Sequence, residues 1–156
     1  MSEIKTAYFT NEALAKFVSV QGKQVSKIIC HLWQNNNNPS ESIEIIDNVQ
    51  LQFFDNQKIT ISCNENGDGL DVIEYNFEEA KKNLQDVFNG KIKLFAVDAS
   101  NTKMWQDVIT KNLDLVKVTK QETYYKADSI VLQFENEMRE ISISPLDGLI
   151  IDFYEE

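Results

Sequence analysis

Two parts of the chain share one pattern of residues. Segment 47–53 reads DNVQLQF and recurs at 128–134 as DSIVLQF. An Ile-x-Ile-Ser run and then Asp-Gly-Leu follow both segments, at 59–62 and 68–70 and again at 141–144 and 147–149. A repeated unit restricts the fold more than any single residue does, because both copies must form the same supersecondary structure and bury its apolar face.

The match also extends toward the N-terminus of each copy. Segment 17–25 aligns with 105–113, and the loop at 34–42 absorbs the difference in length. Each copy therefore predicts a helix followed by four strands. We predict an α+β fold of two tandem pseudo-repeats, each a roughly four-stranded antiparallel sheet with an associated helix. The alternative is that two antiparallel sheets share these patterns without duplication.

The repeat predicts where the two units begin and end. The first unit spans 1–90 and includes a linker helix at 77–89, and the second spans 91–156. We expect them to form one compact pseudo-twofold unit. Four apolar residues of the linker recur at helical spacing, namely Phe77, Ala80, Leu84 and Val87.

Local patterns predict the individual elements. Thr10 is a suitable N-cap for a helix that runs through Phe17. Apolar and polar residues alternate over 49–53 and 59–63, which is the period of half-buried strands. The other predicted elements are a hairpin turn at 55–57, a strand at 91–97 and a short helix at 101–108.

Composition indicates a folded chain with no membrane segment. It is 42% hydrophobic with only five glycines and two prolines, and no apolar run approaches the roughly 18 residues of a membrane span. Because Met1–Phe9 lacks the apolar segment of a signal peptide, we expect a cytoplasmic location. Cys30 and Cys63 fall in predicted strands without a Cys-x-x-Cys pair, so we expect reduced thiols.

Charge is concentrated in the corresponding part of each repeat. The net charge is −10, and residues 41–79 carry ten acidic residues against one lysine. Residues 121–156 carry nine acidic residues against two basic ones. A pseudo-twofold axis would bring these potentials together on one side, which repels nucleic acid and attracts a basic protein. The alternative is an acidic surface that only aids solubility.

Few residues can support catalysis or metal binding. His31 is the only histidine, and we expect it at an edge or surface position rather than in a catalytic role. The turn at 64–69 resembles a calcium loop only in part, because Asn64 and Tyr75 occupy the places that need Asp and a bidentate Glu. Arg139 is the only arginine, which argues against a nucleotide or nucleic-acid site. We therefore predict no enzyme activity, no metal and no cofactor.

Aromatic and acidic residues are the candidates for binding a protein partner. Trp33 precedes an Asn-rich loop, and Tyr124 and Tyr125 are expected in the corresponding loop of the second copy. Exposed aromatic residues often anchor protein interfaces. The acidic candidates are Glu41, Glu44, Asp68, Asp71, Glu74, Asp147, Asp152 and Glu155.

The sequence favours a non-enzymatic acidic module that binds a basic protein. Its most specific form is an immunity or inhibitor protein that neutralises a basic toxin or nuclease, without binding nucleic acid or membranes. A small-ligand-binding or self-associating scaffold, including a homodimer, is the alternative. A hydrolase built on paired carboxylates or on His31 is a third and weaker interpretation.

Overall fold

The computed structural model describes residues 8–35, 44–64, 68–89, 92–144 and 148–155. They form an α+β fold with two helices and one curled nine-stranded sheet. The helices are α1 (Asn11–Val20) and α2 (Phe77–Phe88). The strands are β1 (Val25–Asn35), β2 (Glu44–Phe53), β3 (Lys58–Cys63), β4 (Leu70–Ile73), β5 (Ile92–Asp98), β6 (Leu113–Gln121), β7 (Tyr124–Phe134), β8 (Glu137–Ser144) and β9 (Gly148–Phe153).

The sheet consists of two antiparallel series of strands. In the first, β1, β2, β3 and β4 pair in chain order, and β5 pairs with the free side of β1. In the second, β6, β7, β8 and β9 pair in the same way. A single parallel bridge between Ile46 of β2 and Gly148 of β9 connects the two series. The α+β class is as predicted, but the strands belong to one nine-stranded sheet rather than to two four-stranded ones. β5 confirms the strand expected at 91–97.

The two helices begin as the sequence predicts. Thr10 Oγ1 accepts a hydrogen bond from the Ala13 amide at 3.1 Å, which caps α1. The predicted linker helix is α2, and it ends at Asn89 in the left-handed conformation, with φ of 52°. Its apolar stripe is covered only in part, since Leu84 is buried whereas Val87 is exposed.

The predicted helix at 101–108 is wrong. Residues 101–110 form successive turns, in which the amides of Trp105 and Val108 bond to carbonyls three residues earlier. Both side chains are fully buried, and Thr110 follows in a left-handed conformation with φ of 73°. Burial of these two side chains in the core therefore favours turns over a regular helix in this segment.

The expected loop at Tyr124 and Tyr125 is also wrong. Both residues lie at the start of β7, and Tyr124 pairs with Gln121 across a two-residue turn. Glu122 occupies this turn with φ of 57°, a conformation that short hairpins require. The second series therefore has a tight hairpin where the first has the segment between β1 and β2.

Reciprocal backbone hydrogen bonds join the start of β1 to the start of β6. The Gly22 amide donates to the Leu113 carbonyl at 2.6 Å, and the Thr110 amide donates to the Val25 carbonyl at 2.8 Å. The repeat alignment places Gly22 over Thr110 and Val25 over Leu113, so each bond is the counterpart of the other. Gly22 and Thr110 also share a positive φ, of 85° and 73°.

A second pair of contacts beside this joint follows the same correspondence. The Lys23 ammonium pairs with the Asp55 carboxylate. The Lys111 ammonium donates to Asn136 Oδ1 at 2.6 Å. Lys23 aligns with Lys111, and Asp55 aligns with Asn136. Each lysine therefore contacts the turn after the second strand of its own series, which lies between β2 and β3 in the first and between β7 and β8 in the second.

One hydrophobic core lies between the two series and includes residues of both. Phe17 and Val20 of α1 pack into it from the first series, and Trp105 and Val108 enter it from the second. The largest fully buried apolar side chains of the strands are Ile28, Leu51, Ile61, Leu70, Leu113, Ile130, Leu132, Phe134 and Ile141. No helix in the described part of the chain is long and apolar enough to cross a membrane.

We predict that Gly148→Ala destabilises the protein strongly at the bridge between the two series. Gly148 has φ of 76°, and a Cβ atom there would lie 2.5 Å from the Ile46 carbonyl oxygen. Overpacking of this kind costs about 1–3 kcal/mol beyond the backbone strain. Urea unfolding measures the change in free energy.

Gly22→Ala is the matched control. Gly22 has a similar φ of 85°, but a Cβ atom there would meet nothing within 4 Å. It carries the backbone strain alone, about 1–2 kcal/mol. Equal losses of stability in the two variants would contradict the close contact at the bridge.

Candidate functional site

The outer face of the first series, opposite the core, is polar and buried. Cross-strand neighbours place His31 of β1 beside Asn48 of β2, and Asn48 beside Ser62 of β3. We call this surface the first outer face, and its buried polar residues are His31, Asn48, Gln50, Thr60 and Ser62. The expected surface position of His31 is wrong, because its side chain is only 4% exposed.

A chain of hydrogen bonds connects three of these polar groups. His31 Nδ1 lies 2.6 Å from Asn48 Oδ1, and Asn48 Nδ2 donates to Asp47 Oδ2 at 2.9 Å. Because the amide nitrogen of Asn48 faces Asp47, its oxygen faces the imidazole, and Nδ1 carries the proton of the neutral ring. Asp47 is at a β-bulge, where the register with β1 shifts between His31 and Leu32.

Aromatic side chains cover this chain of hydrogen bonds. The rings of Tyr75 and Phe77 lie 4.6 and 5.4 Å from the His31 ring, between centroids. Burial raises the pKa of Tyr75 to about 12, and its buried hydroxyl makes no hydrogen bond to a described residue. Polar contact with the Asn48 side chain lowers that pKa and the nearby Asp47 carboxylate raises it, both by less than burial does.

Burial shifts the pKa values of the titratable groups in this cluster toward their neutral forms. It lowers the pKa of His31 and raises the pKa of Asp47. Burial and the negative charge of Asp47 raise the pKa of the Cys63 thiol, and burial raises the pKa of Cys30 to about 11. Both thiols are free, and these surroundings are the reverse of those that produce a reactive thiolate.

The described residues include no group of three or more His, Cys, Asp or Glu that could hold a metal ion. The turn that resembles a calcium loop is closed by its own side chains. Asn64 Nδ2 donates to Asp68 Oδ1 at 2.7 Å, and the Asp68 amide donates to Asn64 Oδ1 at 3.1 Å. These bonds account for the spacing of Asn64 and Asp68 without an ion.

The only arginine is buried in the second series. Arg139 is 1% exposed, and its Nε donates to the Met104 carbonyl at 2.6 Å. Its Nη1 pairs with Glu137 at 3.0 Å, and its guanidinium lies 4.4 Å from the Phe153 ring centroid. Nη2 makes no hydrogen bond to a described residue. Arg139 therefore supports the core near Met104 and Phe153. Glu140, the other acidic residue near it in sequence, does not pair with it.

The outer face of the second series carries apolar and acidic residues together. Val131 of β7 lies beside Glu140 of β8, and Glu140 lies directly opposite Asp152 of β9. We call this surface the second outer face; it includes Leu115, Lys117, Val131, Gln133, Met138, Glu140, Ser142, Ile150 and Asp152, and half-buried Lys117 lies beside Val131 on the side away from Glu140. Ile150 is 38% exposed although it lies in the middle of the strand.

The carboxylates of Glu140 and Asp152 have no hydrogen-bond or ion-pair partner among the described residues. Like charges directly opposite each other in a sheet destabilise it by roughly 0.2–1 kcal/mol. The row across the four strands thus reads Lys117, Val131, Glu140 and Asp152, and exposed Ile150 lies two residues from Asp152 along β9.

The predicted acidic residues do not all gather on one surface. Asp152 lies on the second outer face, and exposed Glu155 follows its strand. Asp71 is half-buried beside Ser62, and its own carboxylate accepts from the Val72 amide at 2.8 Å. Asp68 is exposed in the turn before β4. Glu41 and Asp147 lie outside the described residues, and of Glu44 only the backbone, in β2, is described.

Glu74 lines a cleft of about 440 Å³ beside α1. Lys16 of α1 and Lys58 of β3 line the same cleft, as do Thr60 and Tyr75. Lys58 is the only basic residue of the acidic segment 41–79. The cleft thus combines both signs of charge.

The three aromatic candidates lie in different surroundings. Trp33 is half-buried in β1, where it pairs with Leu94 of β5. Tyr124 is 59% exposed, and its ring lies 5.2 Å from that of Tyr8. Tyr125 packs against the core. Of the three, only Tyr124 presents most of its ring to solvent.

Sequence reasoning missed the residues that complete the second outer face. Glu140 is not among the acidic candidates that the sequence predicts. Val131 and Ile150 interrupt the polar side of β7 and β9 with apolar side chains. An apolar residue at an outward position of a strand was the signal that could have identified them.

Comparison of the chain with protein-family models, with curated proteins and with solved structures found no match.

We predict that acid destabilises this protein through His31. The pKa of His31 is lowered from 6.5 in the folded protein, so the unfolded chain binds a proton first as the pH falls. Its contribution to stability is complete above about pH 7 and is lost as the pH falls through 6.5 toward the folded pKa. Asp47, whose pKa is raised, acts with the opposite sign.

Urea unfolding at about pH 7.5 and 5.5 measures this effect, since His31 is the only side chain with an ordinary pKa in that range. His31→Gln should flatten the dependence of stability on pH. A slope that is unchanged in the variant would contradict the burial of a neutral imidazole.

We predict that Tyr75→Phe leaves the stability unchanged or increases it. The buried Tyr75 hydroxyl makes no hydrogen bond to a described residue, and a group of this kind costs roughly 1–3 kcal/mol. Tyr154→Phe is the matched control, because Tyr154 follows β9 as Tyr75 follows β4. Thermal unfolding compares the two. A clear loss of stability in Tyr75→Phe alone would show that the hydroxyl has a structural partner.

Proposed function

We propose that this protein is a non-enzymatic module that binds a basic protein, and that the second outer face is its binding surface. The observation that carries the proposal is the pair Glu140 and Asp152, which lie directly opposite each other beside exposed Ile150. A lysine or arginine of a partner that lay between the two carboxylates would relieve their mutual repulsion. Apolar contact with Ile150 and its neighbours would add to the affinity.

The charge of the chain supports a basic partner. The net charge is −10, and exposed Glu155 lies just beyond β9 in addition to the acids of the second outer face. Complementary charge accelerates association and excludes partners of the same sign. An inhibitor or immunity protein that masks the basic site of a toxin or nuclease in the cytoplasm is the most specific form of this proposal.

We also propose that the chain arose by duplication of a helix-and-four-strand unit. The reciprocal bonds of Gly22 with Leu113 and of Thr110 with Val25 support it, because a twofold axis relates such bonds. The matching contacts of Lys23 and Lys111 support it as well. Duplication would explain how one copy could keep a covered outer face while the other became a binding surface.

A small-ligand site is the second candidate function. The cleft beside α1 favours it, because Lys16, Lys58 and Glu74 line about 440 Å³ of space. A ligand there would have to carry a negative group for the lysines and a hydrogen-bond donor for Glu74. Its binding would depend on the cleft and would be indifferent to Glu140 and Asp152.

We predict that Glu140→Lys/Asp152→Lys strongly weakens the binding of a basic partner. Tagged protein would be incubated with lysate of the source cells at about 50 and 500 mM salt, where screening differs strongly, and the retained proteins would be identified by mass. A basic protein should bind the unaltered chain at low salt, and its binding should weaken by at least about tenfold in the variant.

Asp86→Lys/Asp107→Lys is the matched control, because it changes the net charge equally at exposed acids outside the second outer face. If the control variant lost the partner to the same extent, net charge alone would explain binding and the assigned surface would be wrong. Lys16→Glu/Lys58→Glu, which alters the cleft instead, should leave this capture of a basic protein unchanged.

A further inference from the structure

Three strands of the sheet, β4, β5 and β6, each pair with a single described strand. β4 has only four residues, and the pairing of β6 with β7 shifts register twice. β5 instead pairs with β1 over seven consecutive residues without a shift, and it contains no proline. Proteins usually keep edge strands short or irregular, because a regular edge pairs readily with other strands. Of these three edges, that of β5 is the most open to an added strand.

The middle of β5 presents apolar side chains to solvent. Phe95 and Val97 are 40% and 39% exposed, and Ala96 between them is exposed as well. Phe95 lies beside Leu32 of β1, on the same face as Val97. An added strand would cover the free side of both residues.

The free edge of β5 also offers backbone hydrogen-bonding groups. The Ala99 amide, directly after β5, donates to the Ile28 carbonyl of β1 at 2.8 Å. The backbone groups of successive residues point to opposite sides of a strand. Since the register between β1 and β5 is unbroken, the amide and carbonyl groups of Leu94 and Ala96 point away from β1. An added strand would bond to these groups.

Two lysines lie at one end of this edge. Lys93 of β5 and Lys81 of α2 line a groove of about 280 Å³, together with Gln85, Leu94 and Phe95. Neither lysine forms an ion pair with a described residue. A lysine at a sheet edge discourages basic and purely apolar strands. Here it favours a strand that carries an acidic residue at the matching position.

A second copy of this chain does not supply that acidic residue. Two copies would pair β5 with β5 around a twofold axis perpendicular to the sheet, and each face would continue into the same face of the other copy. Lys93 and Asp98 are five residues apart and therefore face opposite sides of the sheet. No register of this pairing places them opposite each other, and Lys93 would meet residues such as Phe95 or Val97. Two chains of net charge −10 would also repel each other.

We propose that the free edge of β5 binds an extended acidic segment of a partner protein, which adds a strand to the sheet. Lys93, Phe95 and Val97 share one face of β5. In the antiparallel orientation, which is slightly the more stable one, the segment reads apolar-x-apolar-x-acid, and its Asp or Glu lies opposite Lys93. Backbone hydrogen bonds supply the affinity, and the side chains supply the specificity. This binding is independent of the second outer face, which belongs to the other series.

A displayed library of random peptides about ten residues long, enough to span an ordinary strand, tests the chemistry of the partner. The library is selected on the intact protein, and enriched peptides should carry the apolar-x-apolar-x-acid pattern. On binding, hydrogen exchange at the Leu94 and Ala96 amides should slow by at least about tenfold, because both amides gain hydrogen bonds. Enriched peptides that leave these amides unprotected would overturn the added strand.

Lys93→Glu tests the charge and should weaken the enriched peptides by about tenfold. Its matched control is Lys103→Glu, which makes the same change at an exposed lysine outside β5. Equal weakening by the two variants would show that net charge alone matters and would overturn the assignment to Lys93.

Ala96→Pro tests the backbone of the edge. It removes an amide that points away from β1, and edge strands tolerate proline at such a position. Peptide binding should fall by at least about tenfold. Ala96→Ser is the control, because it keeps the amide. Thermal unfolding establishes that both variants are folded, and equal peptide binding by the two would contradict strand addition at this edge.

The remaining outcomes separate this inference from the proposed function. Failure to enrich any peptide that depends on Lys93 would overturn the inference. A dimer in sedimentation that Ala96→Pro dissociates would also overturn it, because a second copy would then occupy the edge. The enriched peptides should bind Glu140→Lys/Asp152→Lys as tightly as the unaltered chain, whereas capture of a basic protein should not. Either proposal can therefore fail while the other stands.

Discussion

The fold depends on the backbone joint between the starts of β1 and β6. Val25 and Leu113 are fully buried there, and their carbonyl groups accept the amides of Thr110 and Gly22. Each series of strands has one apolar face, which a single short helix such as α1 cannot cover. The joint places these faces against each other, so one core serves both, and the Ile46 bridge to Gly148 closes the sheet at another point.

The hydrogen bonds at this joint are reciprocal, so the two series are alike there. The difference between their outer faces is therefore informative. In the first series, burial holds His31 neutral and leaves the Tyr75 hydroxyl without a described partner. In the second, Glu140 and Asp152 lie opposite each other on a face over which no described helix packs. Both arrangements cost stability, but a face without a described cover could recover that cost by binding another molecule. For this reason the second outer face, rather than the buried histidine, carries the proposed function.

Sequence patterns succeeded where local chemistry decides the structure and failed where distant contacts do. Alternation located the paired strands, and Thr10 marked the start of α1 because a cap depends on residues three positions away. Burial of Trp105 and Val108 overrode the helical tendency at 101–108. His31 was misplaced because a polar residue in a strand suggests solvent, and nothing near it in sequence shows that Tyr75 and Phe77 will cover it.

The sequence by itself determined the pattern of strands and the acidic balance, because periodicity and charge are properties of order along the chain. It also identified Asp152 as a candidate. Only the tertiary structure decided that Glu140 lies opposite Asp152, and that Tyr75 and α2 lie on one outer face whereas no described helix packs on the other. Those relations join residues from different strands and helices, and register and packing, not local preference, set which of them meet.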